Sequence, residues 1–481
     1  MLRKVLLLVA ALAVAFLGLM VVKAVASQTT PRAFRQISQE VTTIAVGSCN
    51  REERSHDFFD LILRYHPEAW VWLGDNVYAD SRDPEVIRRA YAAMLADEDY
   101  RNFRREVPEI YGIYDDHDYG ANDAGKEWFL KREARDMMLD FLAVPDDHPV
   151  WEREGGYQSY VIGDGDRTVK LILLDTRYFR DALTESPIRG VRYGQNLDGD
   201  VLGEAQWQWL EQELRESTAA AHLIVSSIQI IPEEHGYEKW ANFPAARRRL
   251  LDLLEATDPA LPLLVSGDRH LSELSRLDSL HEFTSSGLTH SYTSADEPNR
   301  HRISPLIGER NYGLLHYLWT TDGPRLLIES RSAEDDRLFF TAAPGSGMNT
   351  DELAALIHPK TSMPTTLKPC PDSPNCVSTQ TDQSDKKRDP ISYDGSREQA
   401  KRKLKQLLDD MPRTRLVSED DDYLHYTFKT WPIPFIDDVE FVFDDEAKVI
   451  HYRSASRVGH SDLGVNGKRM AKVVKAWEGA L

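Results

Sequence analysis

The chain has 481 residues, of which 41% are hydrophobic and 28% charged, and its formal net charge is −20. This composition is typical of a globular chain long enough for two or more domains, and it excludes an intrinsically disordered one. The acidic balance argues against a general nucleic-acid-binding protein, whose affinity rests on clustered Lys and Arg, so no nucleic-acid binding is expected. A phosphorylated small substrate is not excluded, and a solvated acidic surface accounts for most of the excess charge.

Residues 1–26 have the features of a signal peptide or an N-terminal anchor. Two basic residues precede an apolar run at 5–22, and the small residues "AVA" follow, as they do at a cleavage site. A run of about 18 residues is at the lower edge of what spans a bilayer. We therefore expect export to the periplasm or cell envelope. Cleavage after Ala26 is favoured over an anchor that would attach the protein to the membrane.

Residues 38–342 alternate short apolar runs with amphipathic helical patterns, which predicts an α/β domain whose strands are covered on both faces. The predicted strands are "TTIAVG", "AWVWLG", "EIYGIY", "VKLILL", "HLIVSS" and "PLLVSG". The predicted helices are "PEVIRRAYAAML", "GEAQWQWLEQELRES" and "PAARRRLLDLLEA", the first with Pro84 at its first position after Asp83.

The composition changes after this domain. Residues 343–363 are rich in Pro, Gly, Ser and Thr and are interpreted as a linker. Residues 364–481 predict a small α+β domain, with a Ser-capped helix "SREQAKRKLKQLLDDM", strands in "YLHYTFK" and "DVEFVFDDEAKVIHYRS", a turn near Asp444 and a closing helix "GKRMAKVVKAWEGAL".

The chain has three cysteines, which agrees with an oxidising compartment if two of them pair. Cys370 and Cys376 could form a disulfide bond that closes a small Pro-rich loop. The alternative is that they form half of a zinc site, but the sequence offers no second pair of ligands to complete it. Cys49 is then unpaired, and outside the cytoplasm it requires either burial or a ligand.

Four predicted strands of the first domain end directly before side chains that can bind metal ions. These side chains belong to Cys49, to Asp75, Asn76 and Tyr78, to Asp115, Asp116, His117 and Asp118, and to Asp268 and His270. Taken singly, each could be a turn residue, a helix cap or a core residue. Because loops converge at the carboxyl ends of the strands in an α/β sheet, a thiol, a phenol, carboxylates and imidazoles there together predict a metal site.

These residues resemble the motifs of the metallophosphoesterase superfamily, namely Gly74-Asp75-x-x-Tyr78, Asp116-His117-Asp118 and Gly267-Asp268-x-His270. The segments "SCN", "DDHDYGANDAG" and "LLDTRYFRD" are most similar to its alkaline phosphatase D (PhoD-like) group. The resemblance covers about residues 40–340. It implies a two-sheet sandwich flanked by helices, and hydrolysis of phosphate mono- or diesters.

The resemblance implies two metal ions, which Asp75 would bridge. The residues expected to complete the first site, for Fe(III), are Cys49, Tyr78 and His270. Asp116 and Asp268 would serve the second ion, and their carboxylates favour an oxygen-loving cation such as Ca²⁺ or another divalent cation. Such a pair of ions would lower the pKa of a bound water and clamp the phosphoryl group.

His117 is the expected general acid for the leaving alkoxide, with Asp118 orienting its ring. The alternative is that His117 binds a metal ion or contacts a residue that does. Arg177 and Arg269 could bind phosphate oxygens or could form structural ion pairs. Four further residues either line the site or belong to turns and loops: Asn122, Asp123, Gln229 and His290.

The C-terminal domain resembles a domain of unknown function (DUF1499) through "CPDSPNCVS", "DDVEFVFDD" and "RSASRVGHSDLGVNGKRM". A group of polar residues there could bind an anion or could form an ordinary polar loop: Arg453, Ser454, Ser456, Arg457, His460 and Ser461. Two other functions fit the whole chain, a non-catalytic envelope protein that retains a metal or anion site and another metal-assisted ester hydrolase.

Overall fold

A computed structural model describes residues 41–292, 296–345, 347–358, 367–371, 373–420, 422–429, 436–457, 462 and 464–479. The N-terminal segment 1–26, predicted as a signal peptide or anchor, lies outside these residues. Within the described ranges, no helix is both long enough and apolar enough to cross a membrane.

The first domain contains mixed helices and strands, and all the strands and helices predicted above for it are confirmed. Its strands are β1 (Val41–Gly47), β2 (Ala69–Leu73), β3 (Glu109–Ile113), β4 (Gln158–Asp164), β5 (Arg167–Leu173), β6 (Ala221–Ser226), β7 (Pro262–Ser266), β8 (Ser272–Leu277), β9 (Leu280–Ser285), β10 (Asn311–Thr320), β11 (Gly323–Ser332) and β12 (Leu338–Ala342). The helices up to the end of the predicted linker are α1 (Phe58–Ile62), α2 (Pro84–Ala96), α3 (Glu98–Glu106), α4 (Asp116–Tyr119), α5 (Lys131–Phe141), α6 (Gly203–Glu216), α7 (Pro244–Thr257) and α8 (Thr350–Ile357). Short 3₁₀ helices occupy Leu63–Tyr65, Pro149–Glu152 and Trp240–Asn242.

Two six-stranded sheets form the sandwich that the resemblance implied. The first has the order β12-β11-β10-β1-β2-β3, and the second has the order β4-β5-β6-β7-β9-β8. Apolar side chains of both sheets, among them Val71 and Val265, form the core between them. Helices α1, α2, α3 and α5 cover the outer face of the first sheet, and α6 and α7 cover that of the second. The α/β sandwich flanked by helices is therefore confirmed.

Helix α2 shows how the sequence specifies one of these covering elements. Pro84 occupies the first turn, and the Asp83 carboxylate accepts a hydrogen bond from the Glu85 backbone N–H, which caps the helix. Ile87, Tyr91 and Met94 recur at helical spacing and are buried against the sheet. Burial of each such side chain contributes roughly 1.5–3 kcal/mol.

The predicted linker 343–363 contains helix α8. Asn349 caps its first turn, and Leu353 packs on Leu318 and Leu327 of the first sheet. Loop composition concealed this helix because a single buried leucine gives little periodic signal. The domain boundaries at 38–342 and 364–481 stay predictions.

The C-terminal domain is α+β, as expected. Its elements are β13 (Cys376–Ser378), β14 (Ile391–Ser392), α9 (Arg397–Asp409), β15 (Thr414–Asp420), β16 (Tyr423–Lys429), β17 (Ile436–Asp444), β18 (Val449–Ser456) and α10 (Val465–Gly479). The sheet order is β13-β18-β17-β16-β15, with β14 also paired to β18. Cys370 and Cys376 form a disulfide bond, which confirms their pairing.

Both arginines of the polar group suggested as an anion site are paired with carboxylates. Arg453 pairs with Glu440 at 3.0 Å, and Arg457 pairs with Asp438 at 3.0 Å. The interpretation as an ordinary polar region is therefore favoured. His460 and Ser461 lie outside the described residues.

Candidate metal centre

Both sheets supply the loops of the site. Strands β1, β2 and β3 are parallel neighbours in the first sheet, so the loops that leave their carboxyl ends lie side by side. The loop after β7 in the second sheet brings Asp268 and His270 to the same place. A backbone hydrogen bond of 2.9 Å from Asn50 N–H to the Asp75 carbonyl fastens the first two loops to each other.

The residues expected to hold the first ion converge on one carboxylate oxygen. Oδ2 of Asp75 lies 3.5 Å from the Cys49 Sγ and accepts a 2.9 Å hydrogen bond from the Tyr78 hydroxyl. The same hydroxyl lies 3.5 Å from Nε2 of His270. Ligand atoms of Cys49, Asp75 and His270 all lie within 4.8 Å of one another.

The residues expected to hold the second ion gather beside Asp75. Asp75, Asp116 and His117 form one group with ligand atoms within 4.8 Å, and Asp115, Asp116 and Asp268 form another. Asp115 was not given a ligand role from the sequence. Its carboxylate already accepts hydrogen bonds from Arg177 and Ser227, so it fixes the loop beside Asp116 and Asp268.

The backbone is held in an unusual conformation at four of the six expected ligands. Cys49, Asp75, Asp268 and His270 have φ values of 60°, 50°, 66° and 53°, in the left-handed region that side chains rarely adopt. Each such residue costs of order 1–3 kcal/mol unless the surroundings impose it, and such residues cluster at functional sites. The preceding Gly74 has φ 100°, and a Cβ there would lie 2.6 Å from the Asp115 Cβ.

The electrostatics of the site are those of a cation-binding centre. Burial, followed by the Asp75 charge, raises the pKa values of the Cys49 thiol and the Tyr78 phenol well above their ordinary range. Burial and neighbouring carboxylates likewise raise the pKa of Asp75, although the nearby His117 lowers it. Burial raises the pKa of Asp268 to about 7, against the lowering effect of Arg269. Buried anionic groups of this kind are stable only when paired or bound to a metal.

A bound cation would satisfy an oxygen that the protein leaves unpaired. Oδ1 of Asp116 is buried and accepts no hydrogen bond from any residue that the structure describes. The donor set of thiol, phenol, imidazole and carboxylates is one that metal ions bind. The residues present therefore fit a two-metal centre, with Asp75 common to both groups.

His117 stands at the edge of this centre and is oriented by Asp80. Its Nδ1 lies 2.7 Å from the Asp80 carboxylate, and its ring stacks on Tyr78 with centroids 4.2 Å apart. Its Nε2 lies 3.9 Å from the Asp116 carboxylate, so it faces the metal ligands. Although burial lowers the pKa of His117, Asp75, the Asp80 hydrogen bond and Asp116 raise it to about 11.

The predicted role of Asp118 as the residue that orients His117 is wrong. Its carboxylate accepts hydrogen bonds from the backbone N–H of Asp115 at 2.7 Å and of Asn76 at 3.1 Å, and from the Tyr91 hydroxyl at 3.1 Å. Helix α4 turns this side chain away from the site, where it joins the loops after β2 and β3. The sequence signal for Asp80 was its position in the same loop as Asp75 and Tyr78.

Neither arginine proposed for phosphate binding offers a free guanidinium. Arg177 is fully buried between Asp115, at 2.6 Å, and Glu238, at 2.7 Å. Arg269 is buried against Glu297 and lies 3.5 Å from Asp268. Both are structural ion pairs, which was the alternative interpretation.

The four residues named as possible lining of the site differ in how close they lie to it. His290 lies at the site, with ring centroids 4.4 Å from His270 and 4.9 Å from Tyr78. Asp123 donates its backbone N–H to the Asp116 carboxylate, and Asn122 bonds to its side chain. Gln229 is buried among Glu273 and Thr284, away from the ligands.

One site residue gave no sequence signal. Ser286 follows β9, and its hydroxyl lies 3.0 Å from Cys49 Sγ and accepts a 2.8 Å hydrogen bond from the His270 N–H. It thereby joins two ligands that come from different sheets. Serine after a strand is common in turns, so only the tertiary structure reveals this contact.

Two family models match segments of this chain. The model of the PhoD-like phosphatase family matches residues 44–310, and that of a protein of unknown function (DUF1499) matches 366–476. Alkaline phosphatase D of Bacillus subtilis (strain 168) is 24% identical over 253 residues, which are 47% of this chain and 42% of that protein. The chain thus matches less than half the length of this curated relative.

One solved structure shows the same fold. The structure of PhoD superposes with a TM-score of 0.50 at 18% identity, covering 66% of this chain and 76% of the other. A Plasmodium structure described as "GAP50 the anchor in the inner membrane complex" has a lower TM-score of 0.45 at 14% identity, covering 66% of this chain and 93% of its own.

The fold and the clustered side chains define a two-sheet α/β protein with a candidate metal centre. More particularly, the chain belongs to the PhoD-like phosphatase family, whose model covers more than half of its length. Its C-terminal segment is a DUF1499 domain.

Proposed function

We propose that this protein is a metal-dependent phosphoesterase that hydrolyses phosphate mono- or diesters. The observation that carries the proposal is the position of Asp75. This carboxylate is shared by the group with Cys49 and His270 and by the group with Asp116 and His117. A shared carboxylate between two ligand groups is what a bridged pair of metal ions requires.

The two ligand groups differ in chemistry, which supports two different ions. Cys49, Tyr78 and His270 offer thiolate, phenolate and imidazole, a set suited to Fe(III). Asp116 and Asp268 offer oxygen, a set suited to Ca²⁺ or another divalent cation. Once bound, two such ions would activate a water molecule and neutralise the charge that develops on the phosphoryl oxygens.

His117 would supply the proton to the leaving group. Its Nδ1 is held by Asp80, so the opposite nitrogen, Nε2, faces the ligand groups and carries the proton to be donated. The Asp80 carboxylate, in contact with Nδ1, stabilises the protonated ring. Transfer of that proton to the leaving alkoxide oxygen is general acid catalysis, which contributes typically 10²- to 10⁴-fold.

Two exposed aromatic residues lie at the rim of the site. Tyr292 has its ring 4.6 Å from His270, and Tyr237 lies under the Arg269 guanidinium at 4.1 Å. Both remain about half exposed, with 55% and 47% of their surface accessible. They offer apolar faces to the organic part of an ester outside the metal ligands.

The test is metal analysis of untagged protein together with turnover of p-nitrophenyl phosphate and bis-p-nitrophenyl phosphate. We expect about two ions per chain and inhibition by phosphate, and the ratio of the two rates ranks the ester classes. Asp75→Asn should lose both metal and turnover, whereas Asp322→Asn, in an exposed turn, should lose neither. Protein that stays inactive after loading with iron and calcium would instead support the non-catalytic envelope function.

We also propose that the protein is exported. The apolar segment within 1–26 and the Cys370–Cys376 disulfide support this, because disulfides persist mainly in oxidising compartments. Fractionation of cells that express the full chain should place it in the periplasm or envelope. A mass that corresponds to cleavage after Ala26 would distinguish a released protein from an anchored one, and recovery in the cytoplasm would contradict export.

A further inference from the structure

A second group of possible metal ligands lies in the first domain, apart from the site described above. It consists of His316 on β10, Glu329 on β11 and His358 directly after α8, and we call it the α8 cluster. His316 pairs with Thr43 near the start of β1, whereas Cys49 follows the end of that strand. The cluster therefore lies towards the opposite end of β1 from the catalytic centre.

The α8 cluster lies on the outer face of the first sheet. Leu315 points into the core between the sheets, so its neighbour His316 points outward. Leu353 of α8 is fully buried against Leu318 and Leu327 on this sheet, which fixes the helix. The backbone N–H of His358 donates to the Ala354 carbonyl at 2.8 Å, so the backbone of His358 is held at the end of the helix.

The distances between the ligand atoms are close to those of a tetrahedral metal site. Nε2 of His358 lies 2.9 Å from Oε1 of Glu329, and Nε2 of His316 lies 3.6 Å from Oε2. The three residues have ligand atoms within 4.8 Å of one another. A tetrahedral Zn²⁺ with bonds of about 2.0–2.1 Å separates its ligand atoms by roughly 3.3–3.4 Å, so small side-chain adjustments complete the geometry.

The imidazole of His316 is held by one nitrogen and leaves the other available to a metal ion. Its Nδ1 lies 3.0 Å from the Thr43 hydroxyl, and the ring is almost completely buried. Its Nε2 is buried and has no hydrogen-bond partner in the part of the chain that the structure describes. A histidine whose outer nitrogen is held in this way presents the other nitrogen to a metal.

Arg331 is the main charge opposed to a cation here, and it is itself engaged. Its Nε donates to Oε2 of Glu329 at 2.6 Å, and its Nη1 donates to the Asp336 carbonyl at 2.9 Å. Asp336 also pairs with Arg64 at 3.5 Å, so the two carboxylates of Glu329 and Asp336 balance the two guanidiniums. Hydrogen bonding of a ligating carboxylate by an outer residue is usual at metal sites. A dication therefore enters a neighbourhood that is not positive.

The cluster has a route to solvent. The His358 side chain is 36% exposed, whereas those of His316 and Glu329 are each 2% exposed. An ion can therefore reach the two buried ligands from the side of His358 and keep a water molecule as its fourth ligand. Two imidazoles and one carboxylate are a donor set that Zn²⁺ binds.

We propose that His316, Glu329 and His358 bind a transition-metal dication of the Zn²⁺ class. The bound ion fastens the end of α8 to β10 and β11. Because α8 precedes the DUF1499 domain in the chain, the ion holds the segment from which that domain continues. This site is independent of the catalytic centre and of the reaction proposed for it.

The test measures Zn²⁺ and Co²⁺ binding to untagged, chelator-treated protein by titration calorimetry and visible absorption. Asp75→Asn serves as the parent, because it removes the shared ligand of the catalytic centre. We expect one tight site with the absorption of tetrahedral Co²⁺. Adding His358→Ala should weaken binding at least about 100-fold, beyond the 10- to 100-fold loss typical of an outer partner. The matched control is His281→Ala, a histidine on β9 that belongs to neither centre.

Thermal unfolding provides the second readout, because an ion that binds only the folded chain raises its melting temperature. Zn²⁺ should raise the melting temperature of the parent and of the His281 variant, but not of the His358 variant. His358 is partly exposed, so its replacement should leave the metal-free melting temperature within a few degrees. Equal Zn²⁺ affinity with and without His358, or equal loss in the His281 variant, would overturn the proposal.

Discussion

Replacing Asp80 by Asn tests whether His117 acts as the general acid that Asp80 orients. The 2.7 Å contact between His117 Nδ1 and the Asp80 carboxylate is lost as a charged hydrogen bond, while the size of the side chain is unchanged. Hydrogen bonds to charged groups contribute about 1.5–3 kcal/mol. Asp80 is 45% exposed, so solvent screening reduces this to about 1 kcal/mol.

That loss corresponds to about a fivefold fall in kcat, provided that proton donation limits the rate. The assay compares an alkyl phosphate, whose alkoxide needs the proton, with p-nitrophenyl phosphate, whose leaving anion is stable without it. We expect Asp80→Asn to slow the alkyl ester about fivefold and the nitrophenyl ester by less than about twofold. His117→Asn should slow the alkyl ester about 100-fold or more.

Metal content separates this role from a structural one. Both variants should retain the ions bound by wild-type protein, and their KM values should change little. Glu85→Gln is the matched control, an exposed carboxylate paired with Arg88. Equal slowing of both esters, or loss of metal in Asp80→Asn, would refute the assignment of His117 as an acid held by Asp80.

Three further predictions concern stability and the metal loops. Arg177→Met should lower the free energy of unfolding by about 3–5 kcal/mol in urea titrations, because it leaves Asp115 buried without its cation, whereas Glu238 keeps its second partner, Arg180; a loss below about 1 kcal/mol would contradict this. Gly74→Ala should reduce metal content, since its Cβ would lie 2.6 Å from Asp115 and φ is 100°; full metal occupancy would show that the loop adapts. Burial lowers the pKa of Lys239 to about 8, so the unfolded chain binds more protons between pH 8 and about 10.4. Stability should therefore rise across that window by about 3 kcal/mol relative to Lys239→Met, and parallel pH profiles of the two proteins would disprove it.

The sequence by itself determined the elements and the chemistry of the candidate site. Short apolar runs located strands such as β1, and period-3.6 patterns located helices such as α2, because both signals are local properties of the sequence. The sequence also placed Cys49, Asp75 and Asp268 after strand ends, where the loops of α/β sheets build sites. It did not indicate β10 or β11, or the helix within the predicted linker.

Only the tertiary structure decided which polar side chains contact each other. Asp80 reaches His117, Arg177 reaches Glu238, and Ser286 reaches Cys49, and each of these contacts joins segments far apart in the chain. No local pattern encodes them, because a carboxylate, a guanidinium or a hydroxyl has several equally suitable partners in the sequence. The packing of the two sheets selects one partner for each. For this reason Asp80, and not the predicted Asp118, contacts His117.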